Sequence, residues 1–236
     1  MSQLIVELAP DFYRIPTMGD GINSFLMVES DGSLTLIDTG LNTAPKKIVA
    51  AIKSLGKDPT DIRNILFTHS HADHSGGAAQ IVEIGGTPQV FAHELEAGSF
   101  ESGTVPPRDL THLAGFFFRF VPEQNFDPIK VHQTLKDKDV LPFGGGLEVI
   151  HTPGHTPGHV SFLHKPSNTL ITGDSVFNFG FKLVWSISAF CTNFQQSKET
   201  ALKFLDVDFE TAAFTHGPHI QTGGKAALKK FLQKHS

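Results

Sequence analysis

Residues 68 to 77 read Thr-His-Ser-His-Ala-Asp-His-Ser-Gly-Gly, which puts three imidazoles and a carboxylate within six residues. The run follows the apolar, β-rich Ile62–Phe67 and precedes Ala78–Ile84, a helical stretch closed by Gly85-Gly86. The cluster therefore sits on a strand-to-helix turn. His69 and His71, two apart, point the same way from an extended segment. Asp73 and His74 come after the chain has begun to turn, so they face a second position a few ångströms away. Neutral imidazole together with carboxylate suits Zn²⁺, Fe or Mn rather than Ca²⁺ or a soft thiolate metal. A lone histidine is commonly a satisfied surface or core residue, but His-x-His-x-Asp-His at such a turn is a metal pattern.

The rest of the chain alternates strands and helices. Leu4–Leu8, Phe12–Pro16, Asn23–Glu29 and Leu34–Asp38 read as strands broken by Pro10, Gly19-Asp20-Gly21 and the hairpin signal Asp31-Gly32. Ala44–Leu55 carries helical spacing up to Gly56, and Gln89–Ala92 is again a strand. Residues 94 to 130, with Pro106-Pro107 and Phe116-Phe117-Phe118, read as an insertion that could form a lid. Strands resume at Ile129–Leu135, Leu147–His151, His159–Leu163 and Thr169–Thr172. Residues 177 to 194 are aromatic without clear periodicity. A helix at Ser197–Leu205, a strand at Ala212–Thr215 and a terminal helix at Gly224–Lys234 complete the pattern. One domain over residues 1–236 is expected, with two packed sheets and helices outside.

Composition excludes several classes. A formal charge of −5 without a charge block disfavours a general nucleic-acid or anionic-membrane binder. A lone cysteine, Cys191, rules out an intramolecular disulfide framework. No leader-like segment or run of 18 apolar residues is evident, so the expected location is the cytoplasm, with no membrane partner. Thirteen histidines suggest metal, and 21 phenylalanines against one Tyr and one Trp suggest an apolar pocket as well as core.

His69-Ser-His71-Ala-Asp73-His74 resembles the signature of the metallo-β-lactamase superfamily, and further motifs follow in the family's order. Asp38 in Ile37-Asp38-Thr39-Gly40 resembles an early aspartate that fixes the tautomer of a ligand histidine. His155 in the repeat His151-Thr-Pro-Gly-His155-Thr-Pro-Gly resembles the third histidine of the first metal position. Asp174 resembles the aspartate shared by two metals, and His216 the last ligand of the second. The resemblance implies an αββα sandwich, an α/β fold of two mixed sheets with outer helices, with the site at one sheet edge. It implies two divalent ions, Zn²⁺ first and Fe or Mn next. His69, His71 and His155 would hold one, Asp73, His74 and His216 the other, with Asp174 shared.

The same resemblance implies a hydrolase in which a metal-bridging hydroxide attacks a small-molecule ester, thioester or lactone, with Asp73 handling the proton. Asp174 stands where relatives that cleave β-lactams typically carry cysteine or serine. Only twenty residues follow His216, leaving no room for the glutathione-binding helical domain of glyoxalase II-like thioesterases. Phe177 occupies the place of a tyrosine found in related lactonases. A one-iron sulfur dioxygenase using His69, His155 and Asp174 is the alternative, with phosphodiester or β-lactam cleavage behind it. The remaining histidines are expected to be ordinary surface or core residues, with His151 and His159 facing elsewhere; His219, three after His216, is the leading exception, as a group on the substrate side or behind a ligand. A homo-oligomer is open.

Overall fold

The computed structural model describes residues 4–109, 125–180 and 182–235. Phe116-Phe117-Phe118, expected in a lid, and Phe181 lie outside them. Among the described residues the first sheet has seven strands in sequence order. They are β1 (Val6–Ala9), β2 (Phe12–Asp20), β3 (Asn23–Val28), β4 (Leu34–Ile37), β5 (Ile62–Leu66), β6 (Gln89–His93) and β7 (Gln133–Leu135). The first four are antiparallel and the last four parallel. The second sheet begins with β8 (Val140–Leu141), β9 (Leu147–His151), β10 (Val160–His164) and β11 (Thr169–Ile171). A separate hairpin, β12 (Val176–Asn178) and β13 (Leu183–Trp185), follows, and β14 (Thr211–Ala213) then pairs parallel with β11.

Strand alternation sorts neighbouring side chains into different layers. Phe25 and Met27 of β3 enter the core between the sheets, where Val149, Phe162 and Ile171 of the second sheet meet them. Leu26, between them in sequence, points outward with Leu36 and Ile65. There α1 (Pro45–Ser54) and α3 (Ala78–Gly85) cover it with Ile48, Ile52 and Ile81. On the far face Ile150, Leu163 and Leu170 pack against Phe204 and against Leu228 and Leu232 of the terminal helix. Burying each such side chain contributes roughly 1.5–3 kcal/mol. The result is helix, sheet, sheet, helix: an αββα sandwich. Among the described residues no helix is long and apolar enough to cross a membrane.

Three expectations need correction. The strand expected to stop at Pro16 continues to Asp20, because Pro16 pairs with Asn23 without interrupting the ladder. The strand expected from Ile129 forms only at Gln133, because Ile129 donates its N–H to Phe100 in the short α4 (Ala97–Ser102). The aromatic segment read as beginning at 177 without periodicity forms, with Val176, the β12–β13 hairpin, whose Trp185 packs on Phe231 at a ring separation of 4.8 Å.

Candidate metal centre

The seven expected donors converge where β5, β9, β11 and β14 end. After β5 the chain stays extended through His71, whose backbone (φ −69°, ψ 148°) caps the one-turn helix α2 (Ala72–Ser75). The bend throws Asp73 and His74 inward from the first turn. Thr39 pins that turn, donating both its N–H and its hydroxyl to the His74 carbonyl, at 2.7 and 2.9 Å. His155 follows Gly154, which is at φ +128° and would drive a Cβ into the Ser197 nitrogen. Asp174 follows Gly173 at φ +53°, where a Cβ would collide with His159 Nε2. Both positions require glycine.

His69 Nε2 lies 3.1 Å from His71 Nδ1, which is 2.8 Å from His155 Nε2. Nitrogens bound tetrahedrally at ~2.0–2.1 Å from a zinc ion stand ~3.3 Å apart, so this triad has close to the required size. A second group joins Asp73, His74 and His216, with His74 Nε2 at 3.3 Å from His216 Nε2 and Asp73 Oδ2 at 3.4 Å from the latter. Asp174 lies between the groups: Oδ2 is 3.3 Å from His155 Nε2 and 3.2 Å from His216 Nε2, while Oδ1 is 3.3 Å from His74 Nε2.

The rear nitrogens are occupied, which aims the front ones at the centre. His74 Nδ1–H donates to Asp38 Oδ2 at 2.9 Å, and His216 Nδ1–H to the Gly21 carbonyl at 2.7 Å. His155 Nδ1 lies 2.7 Å from the Ser186 hydroxyl. Asp38 is fully buried in a left-handed backbone conformation (φ 58°), and also accepts the Thr68 N–H and hydroxyl. Buried imidazoles facing acceptors behind and donors of their own kind in front suit divalent metal.

Electrostatics distinguishes the two groups. Burial holds His69 and His155 well below the ordinary histidine value and His71 at about 4, so the triad offers neutral ligands. Burial also works against charge on His74 and His216, but Asp174, the largest opposing influence, carries both above it. Asp174 is itself opposed by burial, yet His216, His74 and His155 hold it well below the carboxylate range.

Several residues near the centre had no readable role in the sequence. His159, expected to face elsewhere, is fully buried and accepts the Asp174 N–H on Nε2 at 2.7 Å, while its Nδ1–H faces the Thr152 carbonyl. The doubled Thr-Pro-Gly-His motif was the available signal. Glu96 is fully buried behind the triad and carried no signal. His219, the leading exception among the other histidines, is not among the described residues that line the cavity and lies half-buried beside Arg14. A cavity of about 360 Å³ opens over His71, Asp73, His155, Asp174 and His216. Its walls are Val105, Arg108, Phe177, Phe179, Ile187 and Phe190.

Asp38→Asn keeps the left-handed backbone tolerable but removes the charge behind His74. The expected result is roughly 10–100-fold weaker binding of one metal equivalent, with the His69, His71 and His155 group unaffected. Chelator competition followed by elemental analysis checks it, and unchanged affinity for both equivalents would contradict the role.

The chain is 29% identical over 223 residues to the uncharacterized protein YobT of Bacillus subtilis, covering 90% of each chain. It is 26% identical over 167 residues to the hydroxyacylglutathione hydrolase GloC of Haemophilus influenzae, covering 70% of this chain and 72% of that one. It spans about half the length of several other curated relatives. The fold matches that of a metallo-β-lactamase family protein from Thermus thermophilus with a TM-score of 0.74 at 23% identity, over 97% of this chain and 80% of that one. Residues 18–216 match the family model of the metallo-beta-lactamase superfamily, and the chain belongs to that superfamily of metallo-hydrolases.

Proposed function

We propose that the protein is a two-metal hydrolase that cleaves an ester, thioester or lactone of a largely apolar small molecule. The observation that carries this reading is the position of Asp174, with one oxygen within 3.3 Å of nitrogens from both donor groups. That arrangement suits two adjoining zinc ions better than the lone iron of a dioxygenase, which would leave Asp73, His74 and His216 without a task. The hydrolase GloC among its relatives acts, by its name, on a thioester, which supports the bond class.

Bound ions would polarise the scissile carbonyl and bring the pKa of a water towards about 7. The chain's own residues supply the rest. Asp73, partly exposed in the cavity lining, would hold the proton that the departing oxygen or sulfur takes up. Phe177, packed on the His216 ring at 4.5 Å, and Phe179, Ile187 and Phe190 form an apolar wall that excludes water and receives the substrate body. Cytoplasmic location and a small-molecule partner, with neither nucleic acid nor membrane, belong to the same reading.

Protein loaded with zinc and freed of excess metal is expected to hold two ions per chain. Each buried methylene is worth about 0.8 kcal/mol, so two added acyl carbons should raise kcat/KM by roughly tenfold until the wall is covered. A series of p-nitrophenyl esters, thioesters and lactones, with bis-p-nitrophenyl phosphate as control, reads this out. One tightly bound iron, or a flat chain-length profile with faster phosphodiester cleavage, would overturn it.

A further inference from the structure

Among the described residues, the β12–β13 hairpin pairs with neither of the two large sheets. A two-stranded ribbon alone in water is marginally stable at best, so its shape depends on what it is fastened to. β13 leans on the terminal helix through Trp185 and Phe231. β12, which carries part of the cavity wall, is fastened differently. Alternation turns Phe177 and Phe179 towards the cavity, and sends Val176 into the core behind and Asn178 to the loop that follows β14. Thr172 donates its hydroxyl to the Val176 carbonyl at 3.1 Å and holds the start of the strand. Asn178, which is buried, holds the rest. Its N–H donates to the His216 carbonyl at 2.9 Å and its side-chain amide to the Pro218 carbonyl at 2.6 Å, while its Oδ1 accepts the Gly180 N–H at 2.9 Å. Strand and loop approach so closely that a Cβ on Gly217 (φ +114°) would run into the Asn178 carbonyl. The loop is held on its other side too, where the Gly217 N–H donates to the Asp20 carbonyl at 2.7 Å.

We propose that Asn178 is a positioning residue that keeps the apolar wall in register with the second donor group, so that an ion seated on Asp73, His74 and His216 orders the wall on which the substrate body lies. A fixed His216 fixes its own carbonyl, the Asn178 N–H bonded to it and the phenylalanines on either side of Asn178. Phe177 also touches the His216 ring directly. Freedom lost when the ion binds is not lost again when substrate arrives, so the two events favour each other without a change of fold. This inference rests on the two-metal hydrolase reading above and gives the second ion a task besides polarising the substrate.

Amide exchange followed by NMR on the full chain reads this without turnover. On passing from one to two equivalents of zinc, exchange at Asn178 and Phe179 should slow by about fivefold or more, the low end of ordinary coupling between sites. Asn178→Asp keeps the acceptor for Gly180 but sets an oxygen against the Pro218 carbonyl, and Asn178→Ala removes both side-chain bonds. In chelator competition each should weaken the second zinc equivalent by about fivefold or more and leave the first unchanged. Each should also abolish the slowing at Phe179. A side chain that only stabilised the fold would lower the melting temperature of the metal-free protein without separating the two equivalents. On the loaded variants, the gain in kcat/KM per two added acyl carbons should shrink. Exchange in the unaltered protein that ignores the second equivalent, or variants that bind both equivalents as the unaltered protein does, would overturn the inference. If neither variant folds, the exchange result decides by itself, and it does so equally if no ester is cleaved and the hydrolase reading fails. A single ion per chain overturns both readings, whereas two ions with unresponsive exchange overturn this one alone.

Discussion

Asp73→Ala is expected to lower turnover by roughly 10²–10⁴-fold, the usual contribution of a positioned proton carrier, while one tightly held ion per chain remains. The carboxylate belongs to the outer donor group, 3.4 Å from His216 and 3.7 Å from His74, and is a third exposed to the cavity. Its loss leaves His69, His71 and His155 in place. His71→Ala should behave in the opposite way. It removes the Nδ1 atom that stands between His69 and His155, so the ion of that triad should be lost first. Elemental analysis alongside kcat/KM on the best ester of the chain-length series separates the two. Near-wild-type rates for Asp73→Ala on every hydrolysable substrate would remove Asp73 from the reaction.

The second large effect is expected far from solvent, at Glu96. One carboxylate oxygen accepts the N–H and hydroxyl of Ser70, which stands between His69 and His71. The other accepts the Gly158 N–H at 2.8 Å, in the turn between His155 and His159. One side chain thus ties together the two loops that supply the triad. Burial pushes its pKa up and these hydrogen bonds pull it back. Glu96→Ala strands two buried N–H groups, each costing about 1–3 kcal/mol, and should weaken metal binding by roughly 10–100-fold. Glu96→Gln can satisfy only one of the two loops, because its amide NH₂ would meet an N–H donor, so it should rescue incompletely. Melting temperature with and without zinc, together with chelator competition, measures both losses. An alanine variant equal to wild type in both would show that the loops hold themselves.

What was legible in the sequence was what is local in the chain. The β-rich run Asn23–Glu29 and the helical spacing within Ala44–Leu55 announced a strand and a helix, because such patterns lie among immediate neighbours. The candidate donors were visible because four of the seven fall within six residues, and the others follow short motifs. Glu96, Ser186 and His159 were not legible, because their meaning lies in partners brought close only by folding: Ser70 is 26 residues from Glu96, and His155 is 31 from Ser186. The β12–β13 hairpin escaped because its aromatic residues show no period-two pattern, its sides being divided between cavity, core and terminal helix.

The donors span the chain from His69 to His216, and they join loops from both sheets. Any ion seated there acts as a cross-link, closing loops far longer than those of most disulfides. The chain-entropy advantage of such a closure grows slowly with loop length, and it is reversible, set by free metal concentration rather than by redox potential. Metal supply would then govern how often the two sheets part as well as how fast substrate turns over. Starvation for metal would expose the protein to unfolding and proteolysis even where its hydrophobic layers are intact.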